Sequence, residues 1–296
     1  MKNRLPSWFH QEMPDATVLG RLGLLSEFRV NTVCQEAKCP NLSHCFSNDK
    51  LTFMILGDTC TRNCRFCAVN KATYSNIRID EDEPYRISQV AWLLGLKYVV
   101  ITSVSRDDLI DGGASAFAKT IRLIKGLNKA IKIETLIPDF QGRASSLECI
   151  LEIAPDVVAH NIETIRRLYG KLRPQADYYL SLSVLTKIKE LNPDVMTKSS
   201  IMLGLGEREE EVISTMKDLL ATHCDFLTLG QYLAPSASHY PVEEFINIGQ
   251  FQKYQEIGLA LGFKRVLSGP LVRSSYQAEG LFNTKLATEE VGKCTT

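Results

Sequence analysis

Short apolar segments alternate with amphipathic segments between about residue 51 and about residue 230. The apolar segments read LTFMILG, KYVVITS, IKIETLI, DVVAHN, SSIMLGLG and DFLTLG. Strands made almost continuously of Val, Ile, Leu and Thr are typical of a parallel sheet that is covered on both faces. Helices are predicted between them, near residues 85–95, 114–127, 145–152, 162–169, 177–191 and 208–222. The pattern therefore predicts an α/β fold of six successive β/α units.

Six such units with right-handed crossovers fit either a partial (β/α)6 TIM-type barrel or an open doubly wound sheet. In both architectures the functional residues gather at the carboxyl ends of the strands. Here those ends carry the segments GDTC, TSVSRDD, HNIET and GLGE. We therefore expect the functional site at that edge of the sheet.

Two further segments flank the repeat. Residues 1–50 are predicted to form an N-terminal extension, residues 51–235 the partial barrel, and residues 236–296 a C-terminal helical extension. Within the last, a helix is expected between an N-cap at Asn247 and a C-cap at Gly262. Both extensions should pack on the sheet rather than fold alone.

Charge and hydropathy narrow the class of protein. Thirty-four basic residues balance thirty-four acidic ones among 296 residues, so no overall field favours nucleic acid or an anionic membrane. No secretory apolar region opens the sequence, and the longest apolar stretch is interrupted by Gly95 and Lys97. A cytoplasmic location is expected, where nine cysteines favour metal ligation over disulfides.

Three cysteines follow the first predicted strand closely, in CTRNCRFC. Cys60, Cys64 and Cys67 form a compact triad, whereas structural zinc usually takes two Cys-x2-Cys pairs that lie far apart in sequence. A cubane cluster needs four ligands, so three cysteines leave one iron open to a substrate or cofactor. A zinc-binding loop, or a cluster that only carries electrons, is the alternative interpretation.

This spacing and its place after a first strand resemble the radical S-adenosylmethionine superfamily. The resemblance implies that the open iron binds S-adenosylmethionine, and that reductive cleavage of its sulfonium gives a 5′-deoxyadenosyl radical. Asn161, Glu163 and Arg173 then become candidates for holding its ribose and carboxylate, although helix caps or solvated side chains fit them equally well. SSIMLGLGE, which ends at Glu207, is similar to the glycine-containing strand of that superfamily.

Another three cysteines, Cys34, Cys39 and Cys45, precede the repeat in CQEAKCPNLSHC. In chain order they are the first triad, and Cys60, Cys64 and Cys67 are the second triad. No Cys or His pair follows at the spacing of a zinc finger, and three cysteines again leave an iron short of a ligand. Because this triad lies outside the β/α repeat, it indicates an additional, auxiliary cluster.

Segments along nearly the whole chain, from about Pro6 to Tyr276, resemble the lipoyl synthases. They are CQEAKCPNLSHCF, GDTCTRNCRFCAV, YVVITSVSRDDLIDGGA, HNIET, RPQADYYLSLSVL, KSSIMLGLGE, GQYLAPSASHYPV and SGPLVRSSY. The resemblance implies that Ser275 completes the auxiliary [4Fe–4S] cluster, with Arg273 close by. Taken alone, RSSY is better explained as a turn with a cap. The iron that lacks a fourth ligand favours the ligand role.

The same resemblance implies a reaction and a set of partners. Sulfur from the auxiliary cluster would enter C6 and C8 of an octanoyl chain on a lysine of a lipoyl carrier domain, with two [4Fe–4S] clusters and S-adenosylmethionine as cofactors. Carriers would be E2 subunits of 2-oxoacid dehydrogenases or the glycine cleavage H protein. A reduced flavodoxin or ferredoxin would donate electrons, and an iron–sulfur carrier protein would repair the cluster.

Two segments depart from the family pattern. After RSSY the family usually has His-Ala-Asp, whereas this chain has Gln277, Ala278 and Glu279. Glu244 and Phe245 stand where the family usually has an Arg-Tyr pair. They bear on recognition of the carrier domain more than on the clusters.

Two alternative functions remain open. One is another two-cluster sulfur-inserting enzyme, in the manner of biotin synthase, and the other is an iron–sulfur electron-transfer protein.

Overall fold

The structure, a computed structural model, describes residues 5–9, 13–72 and 78–282. In that part of the chain the strands are β1 (Thr52–Ile55), β2 (Thr59–Cys60), β3 (Asn70–Lys71), β4 (Tyr98–Ser103), β5 (Lys132–Leu136), β6 (Val157–Ala159), β7 (Met196–Leu203), β8 (Phe226–Gln231) and β9 (Arg265–Gly269). The α-helices are α1 (Ala16–Glu27), α2 (Val33–Glu36), α3 (Leu42–Ser47), α4 (Glu83–Leu93), α5 (Ala114–Leu127), α6 (Ala144–Glu152), α7 (Tyr169–Leu172), α8 (Tyr178–Leu191), α9 (Glu209–Ala221), α10 (Ile248–Leu261) and α11 (Ala278–Phe282). Short 3-10 helices cover Ser7–Phe9, Phe140–Gly142 and Arg166–Leu168.

Seven strands form one parallel sheet in the order β1-β4-β5-β6-β7-β8-β9. The order never reverses, whereas a doubly wound sheet needs a reversal of strand order. Sequential parallel strands with right-handed crossovers place their helices on one face and curve the sheet into a barrel wall. Within the described residues β1 does not pair with β9, so the structure is a partial barrel.

The sheet contains one strand more than the sequence pattern predicts. Arg265–Gly269 pairs with β8 along its whole length, although the sequence analysis assigned residues 236–296 to a helical extension. Its residues are only partly buried apart from Val266, so the segment lacks the apolar run that marks the other strands. Helix α10 itself is confirmed, with Asn247 accepting a bond from Gln250 N and Gly262 in the left-handed region.

The helix predicted over residues 162–169 is wrong in its first half. Ile162 N donates to Ser199 Oγ at 3.0 Å and Glu163 N donates to the Ser200 carbonyl at 2.9 Å. These bonds keep the chain extended beside β7, so helical structure begins only at Arg166. The consequence is that Glu163 stays at the mouth of the barrel.

The two extensions close the barrel at different places. Thr32 forms an antiparallel bridge with Phe53, so the N-terminal extension covers the free edge of β1. At the other end of the chain, α11 packs its apolar side chains against Tyr98, Val157 and Phe226, the first residues of β4, β6 and β8. Among the described residues, no helix is long and apolar enough to span a membrane.

Candidate active site

The second cysteine triad lies on a short closed loop just beyond β1. β2 and β3 pair in parallel, Cys60 opposite Lys71, so that Cys64 and Cys67 lie on the loop between them. Ala72 N donates to the Cys60 carbonyl at 3.0 Å and completes the closure. All three thiols are thereby presented at the carboxyl end of the sheet.

Two charged side chains fix this loop to the barrel. The buried carboxylate of Glu83, at the start of α4, accepts bonds from Leu56 N at 2.6 Å and Gly57 N at 3.1 Å, where β1 ends. Arg62 donates to Asp107 at 2.7 and 2.8 Å and to Asp139 at 2.5 and 2.6 Å. Burial alone would raise the pKa of Asp139, but the bonds and charge of Arg62 lower it to about 2. Asp139 therefore stays ionised at neutral pH, and its ion pair with Arg62 braces the loop.

Burial raises the pKa of four thiols in the two triads. Burial, reinforced by neighbouring thiols, raises the pKa of Cys67 to about 11, that of Cys45 to about 11 and that of Cys34 to about 12. Burial also raises the pKa of Cys64, although the Arg173 guanidinium opposes this rise. Only thiolates ligate metal, so a bound cation must displace these protons. Clustered soft donors of this kind fit iron–sulfur ligation.

Asn161, Glu163 and Arg173 lie together next to Cys64. Asn161 Nδ2 donates to Glu163 Oε1 at 2.9 Å, and Arg173 Nη1 donates to the Tyr169 hydroxyl at 2.5 Å. Burial raises the pKa of Glu163, while the charge of Arg173 and the Asn161 amide lower it. The sequence predicted these three as separate candidates, and the structure brings them onto one polar wall.

The first triad is carried by two short helices of the N-terminal extension. Thr32 caps α2, which holds Cys34, and Cys45 lies in α3. Cys39 lies between the two helices and close enough to Cys34 and Cys45 to raise the pKa of both. The irregular spacing of the triad thus reflects two helical turns joined by a bend.

The RSSY segment reaches this triad from the end of β9. Asn41 Nδ2 donates to the Leu271 carbonyl, and the Tyr276 ring lies 6.1 Å from the His44 ring. The approach to the barrel depends on Gly230 in β8, because a Cβ there would lie 1.8 Å from the Val272 carbonyl oxygen. Glycine at this position lets the C-terminal segment lie directly on the mouth.

Both triads open onto one cavity of about 510 Å³. Its lining includes all six cysteines together with Asn161, Glu163, Arg173, Arg273 and Ser275. Within the described residues, no three His, Cys, Asp or Glu side chains meet at a single-ion site. A [4Fe–4S] cluster takes each thiolate on a different iron, so its ligands need not converge on one point.

Sequence reasoning missed the residues that position this site. Arg62 lies inside the quoted motif and its two carboxylate partners follow strands, but only the fold shows that they meet. Ser274, rather than Ser275, donates to Asn161 Oδ1 at 2.8 Å and so joins the C-terminal segment to the polar wall. A serine in a loop carries no signal that distinguishes these roles.

Several other charged and histidine residues near the strand ends have structural roles. Asp108 accepts from Arg106, and Asp111 accepts from Gly113 N and Ser115 N at the start of α5. His160 is buried, with Nδ1 2.9 Å from the Ile137 carbonyl oxygen. The carboxylate of Glu207 accepts from Gly204 N and Leu205 N in its own turn.

The described cysteines outside the two triads also have structural positions. Cys224 is buried and Cys149 is half-buried, as small core residues would be. Cys294 and His10 lie outside the described residues.

Comparison with known proteins shows the family of this chain. The sequence model of the radical SAM superfamily matches residues 54–219. Lipoyl synthase of Caldanaerobacter subterraneus is 51% identical over 279 residues, 94% of this chain and 97% of that protein. Lipoyl synthase of Aquifex aeolicus is 52% identical over 262 residues, 88% and 94% of the two chains.

Solved structures share the fold at low sequence identity. Methylornithine synthase aligns with a TM-score of 0.54 at 18% identity, over 81% of this chain and 77% of that one. The [FeFe]-hydrogenase maturase HydG aligns with a TM-score of 0.58 at 14% identity, over 72% of this chain and 49% of that one.

The partial barrel, with a three-cysteine loop at the carboxyl end of its first strand, defines a radical S-adenosylmethionine enzyme, which uses a [4Fe–4S] cluster and S-adenosylmethionine. Near 50% identity over almost the full length of curated relatives is more specific than the superfamily. The chain belongs to the lipoyl synthases.

Proposed function

We propose that this chain inserts two sulfur atoms at C6 and C8 of an octanoyl chain, which is carried on a lysine of a lipoyl carrier domain. In this proposal Cys60, Cys64 and Cys67 hold the cluster that binds S-adenosylmethionine. The auxiliary [4Fe–4S] cluster is held by the first triad, Cys34, Cys39 and Cys45. When bound, the two clusters supply the reducing electron and the sulfide sulfur, respectively.

The observation that carries the proposal is the shared cavity. Two cysteine triads separated in sequence line a single space of about 510 Å³, so a substrate placed there is within reach of both. A cluster that only carries electrons needs no such space beside a second triad. The unactivated carbons of an octanoyl chain also offer no acidic proton, so the reaction needs a radical rather than a general base.

Ser275 is proposed as the fourth ligand of the auxiliary cluster, with Arg273 beside it. Ser275 lines the cavity, and no protein hydrogen bond to its hydroxyl occurs within the described residues, whereas Ser274 is occupied by Asn161. The Arg273 guanidinium donates to the Val272 carbonyl at 2.7 Å and lies near Cys39.

The polar wall is proposed to orient S-adenosylmethionine beside Cys64. Glu163 and Asn161 offer acceptors for ribose hydroxyls or an amino group, and Arg173 offers a cation to a carboxylate. The alkyl part of the substrate would contact the apolar lining that the barrel interior provides, including Val100, Leu136 and Val272. Holding one carbon close to the radical source is what the residues of the chain contribute to specificity.

Partners follow from this reaction. We propose lipoyl carrier domains of 2-oxoacid dehydrogenase E2 subunits or of the glycine cleavage H protein as substrates. A reduced flavodoxin or ferredoxin would supply electrons, and an iron–sulfur carrier protein would restore the auxiliary cluster. Gln277 and Glu279 lie next to the RSSY segment, and Glu279 lines the cavity, so the two departures could affect the choice of carrier.

The test is anaerobic reconstitution followed by reaction with an octanoylated carrier peptide. We expect about eight irons per chain, as two [4Fe–4S] clusters. Mass spectrometry should show the lipoyl peptide and two molecules of 5′-deoxyadenosine per product. Cleavage of S-adenosylmethionine with no sulfur on the peptide would reject the substrate and keep the superfamily.

The ligand role of Ser275 is tested with a matched neighbour. Ser275→Ala should lower iron by up to about four atoms per chain and remove the lipoyl product, while S-adenosylmethionine is still cleaved. Ser274→Ala removes an adjacent hydroxyl that contacts Asn161 and should keep both clusters. Full iron content in Ser275→Ala, with normal product, would reject the assignment.

A further inference from the structure

A second hollow of about 700 Å³ lies on the outer side of the cluster-binding loop. It is formed between the loop after Cys60 and the segment that follows β8, where His239 Nε2 lies 3.2 Å from the Cys67 carbonyl oxygen. None of the residues placed on the polar wall or in the first triad lines it. The hollow is therefore distinct from the substrate cavity.

A single short segment of the chain lies between the substrate cavity and the outer hollow. Cys67, Ala68 and Val69 line both the substrate cavity and the outer hollow. One face of this segment thus carries a thiol of the radical-generating triad, and its other face meets the surface. Electron transfer across this segment needs no opening in it, whereas passage of an acyl chain does.

The charge of the hollow is mainly positive. Arg65, Lys71 and Lys171 are exposed in its lining, and Glu243 is the carboxylate among the described lining residues. Lys171 Nζ lies 4.7 Å from the centre of the Tyr240 ring and donates to its hydroxyl, which leaves its charge unneutralised. Within the described residues, neither Arg65 nor Lys71 forms an ion pair with a carboxylate. Since the chain as a whole is neutral, this cluster is a local feature.

We propose that this hollow is the docking surface of an acidic one-electron carrier protein. The carrier is oxidised by one electron and the cluster held by Cys60, Cys64 and Cys67 is reduced by one, with no atom transferred. Complementary charge steers such an encounter and sets its rate. The inference rests on the proposed function, because only a chain that holds this cluster needs the electron.

The lipoyl carrier domain of the substrate is the competing occupant, and the segment between the hollow and the substrate cavity argues against it. Its acyl chain must enter the cavity that contains both triads, and Cys67, Ala68 and Val69 block that path from the hollow. A protein docked in the hollow would therefore deliver electrons but no substrate.

The test is a triple variant, Arg65→Gln with Lys71→Gln and Lys171→Gln. Its matched control replaces three exposed lysines elsewhere on the chain, Lys97→Gln, Lys129→Gln and Lys217→Gln, so that net charge changes equally. The probe is a purified oxidised flavodoxin, whose surface is strongly acidic, and binding to the reconstituted chain is measured by calorimetry at low and at high salt. We expect at least a tenfold rise in Kd for the first variant and less than a twofold change for the control.

Reduction kinetics separate this inference from the proposed function. The first variant should be reduced at least tenfold more slowly by reduced flavodoxin, yet at the parental rate by titanium(III) citrate, a small reductant. Equal flavodoxin affinity in both variants would overturn the inference, as would selective loss of binding to the octanoylated carrier domain. A parental chain that binds flavodoxin but cleaves no S-adenosylmethionine with titanium(III) would instead reject the proposed function.

Discussion

The two cysteine triads are held by opposite means. Cys60, Cys64 and Cys67 lie on a loop closed by neighbouring residues, and Arg62 and Glu83 tie that loop to the strand ends of the barrel. The first triad lies outside the barrel, and its proposed fourth ligand comes from a segment about 230 residues away. In the proposed function, the locally braced site holds the cluster that persists through turnover, and the site assembled from two chain segments holds the cluster that is dismantled. This contrast can be tested at several strengths.

The largest effects should come from single cysteines. Cys64→Ala should abolish cleavage of S-adenosylmethionine, because the triad keeps only two ligands, and Cys39→Ala should abolish only the lipoyl product. Each variant should lose about four irons. Iron analysis and mass spectrometry of 5′-deoxyadenosine and of the peptide distinguish them, with Cys149→Ala as the unaffected control. Loss of S-adenosylmethionine cleavage in Cys39→Ala would contradict the separation of roles.

Removing the brace should have the next largest effect. Arg62→Ala leaves Asp107 and Asp139 without their shared cation, and breaking a buried ion pair costs about 3–5 kcal/mol. Denaturant unfolding of the metal-free chain measures the loss. Arg86→Ala breaks only a surface pair with Asp80 and should cost less than about 1 kcal/mol. Similar losses in the two variants would show that Arg62 braces nothing.

Acid should weaken the barrel through His160. Burial, then the charge of Arg173, lowers the pKa of His160 to about 4, against about 6.5 when unfolded. A depressed histidine pKa means that the unfolded chain binds more protons between these values, so stability falls as pH drops from 6.5 to 4, by up to about 3 kcal/mol.

Urea unfolding of the metal-free chain at several pH values checks this. His160→Gln should flatten the slope in that window. A slope identical to that of the parent would mean that His160 does not cause it.

The smallest change in folding free energy is expected at Gly230. An added methyl in Gly230→Ala meets the Val272 carbonyl, and overpacking of this kind costs about 1–3 kcal/mol. Iron should be lost from the first triad and kept at the second, as electron paramagnetic resonance would show. Gly126→Ala, where a Cβ meets nothing within 4 Å, is the control. Loss of both clusters together would argue against separate anchoring.

The strands with continuous apolar runs were predictable, because a parallel sheet buried on both faces imposes that composition. β9 was not, since its residues lie partly exposed at the end of the sheet and carry no such run. The extended segment after β6 was misread as helix because its apolar spacing fits both structures. Only pairing with β7 decides between them.

The spacing of the cysteines indicates two separate triads, and only the structure shows that both line one cavity. What the sequence could not show are contacts between distant polar residues. Arg62 meets Asp139 across 77 positions, and Ser274 meets Asn161 across 113. No local pattern encodes such a pair, because each partner is an ordinary loop residue until the fold brings them together.

The contact between Asn41 and Leu271 also sets an order of assembly during synthesis. Chains emerge from the ribosome amino end first, and domains fold as they emerge. The loop with Cys64 can close as soon as the first strands have paired. The site at Cys34 must wait until almost the whole chain has been translated. On the proposed function, a nascent chain can therefore accept the cluster at Cys64 long before the one at Cys34.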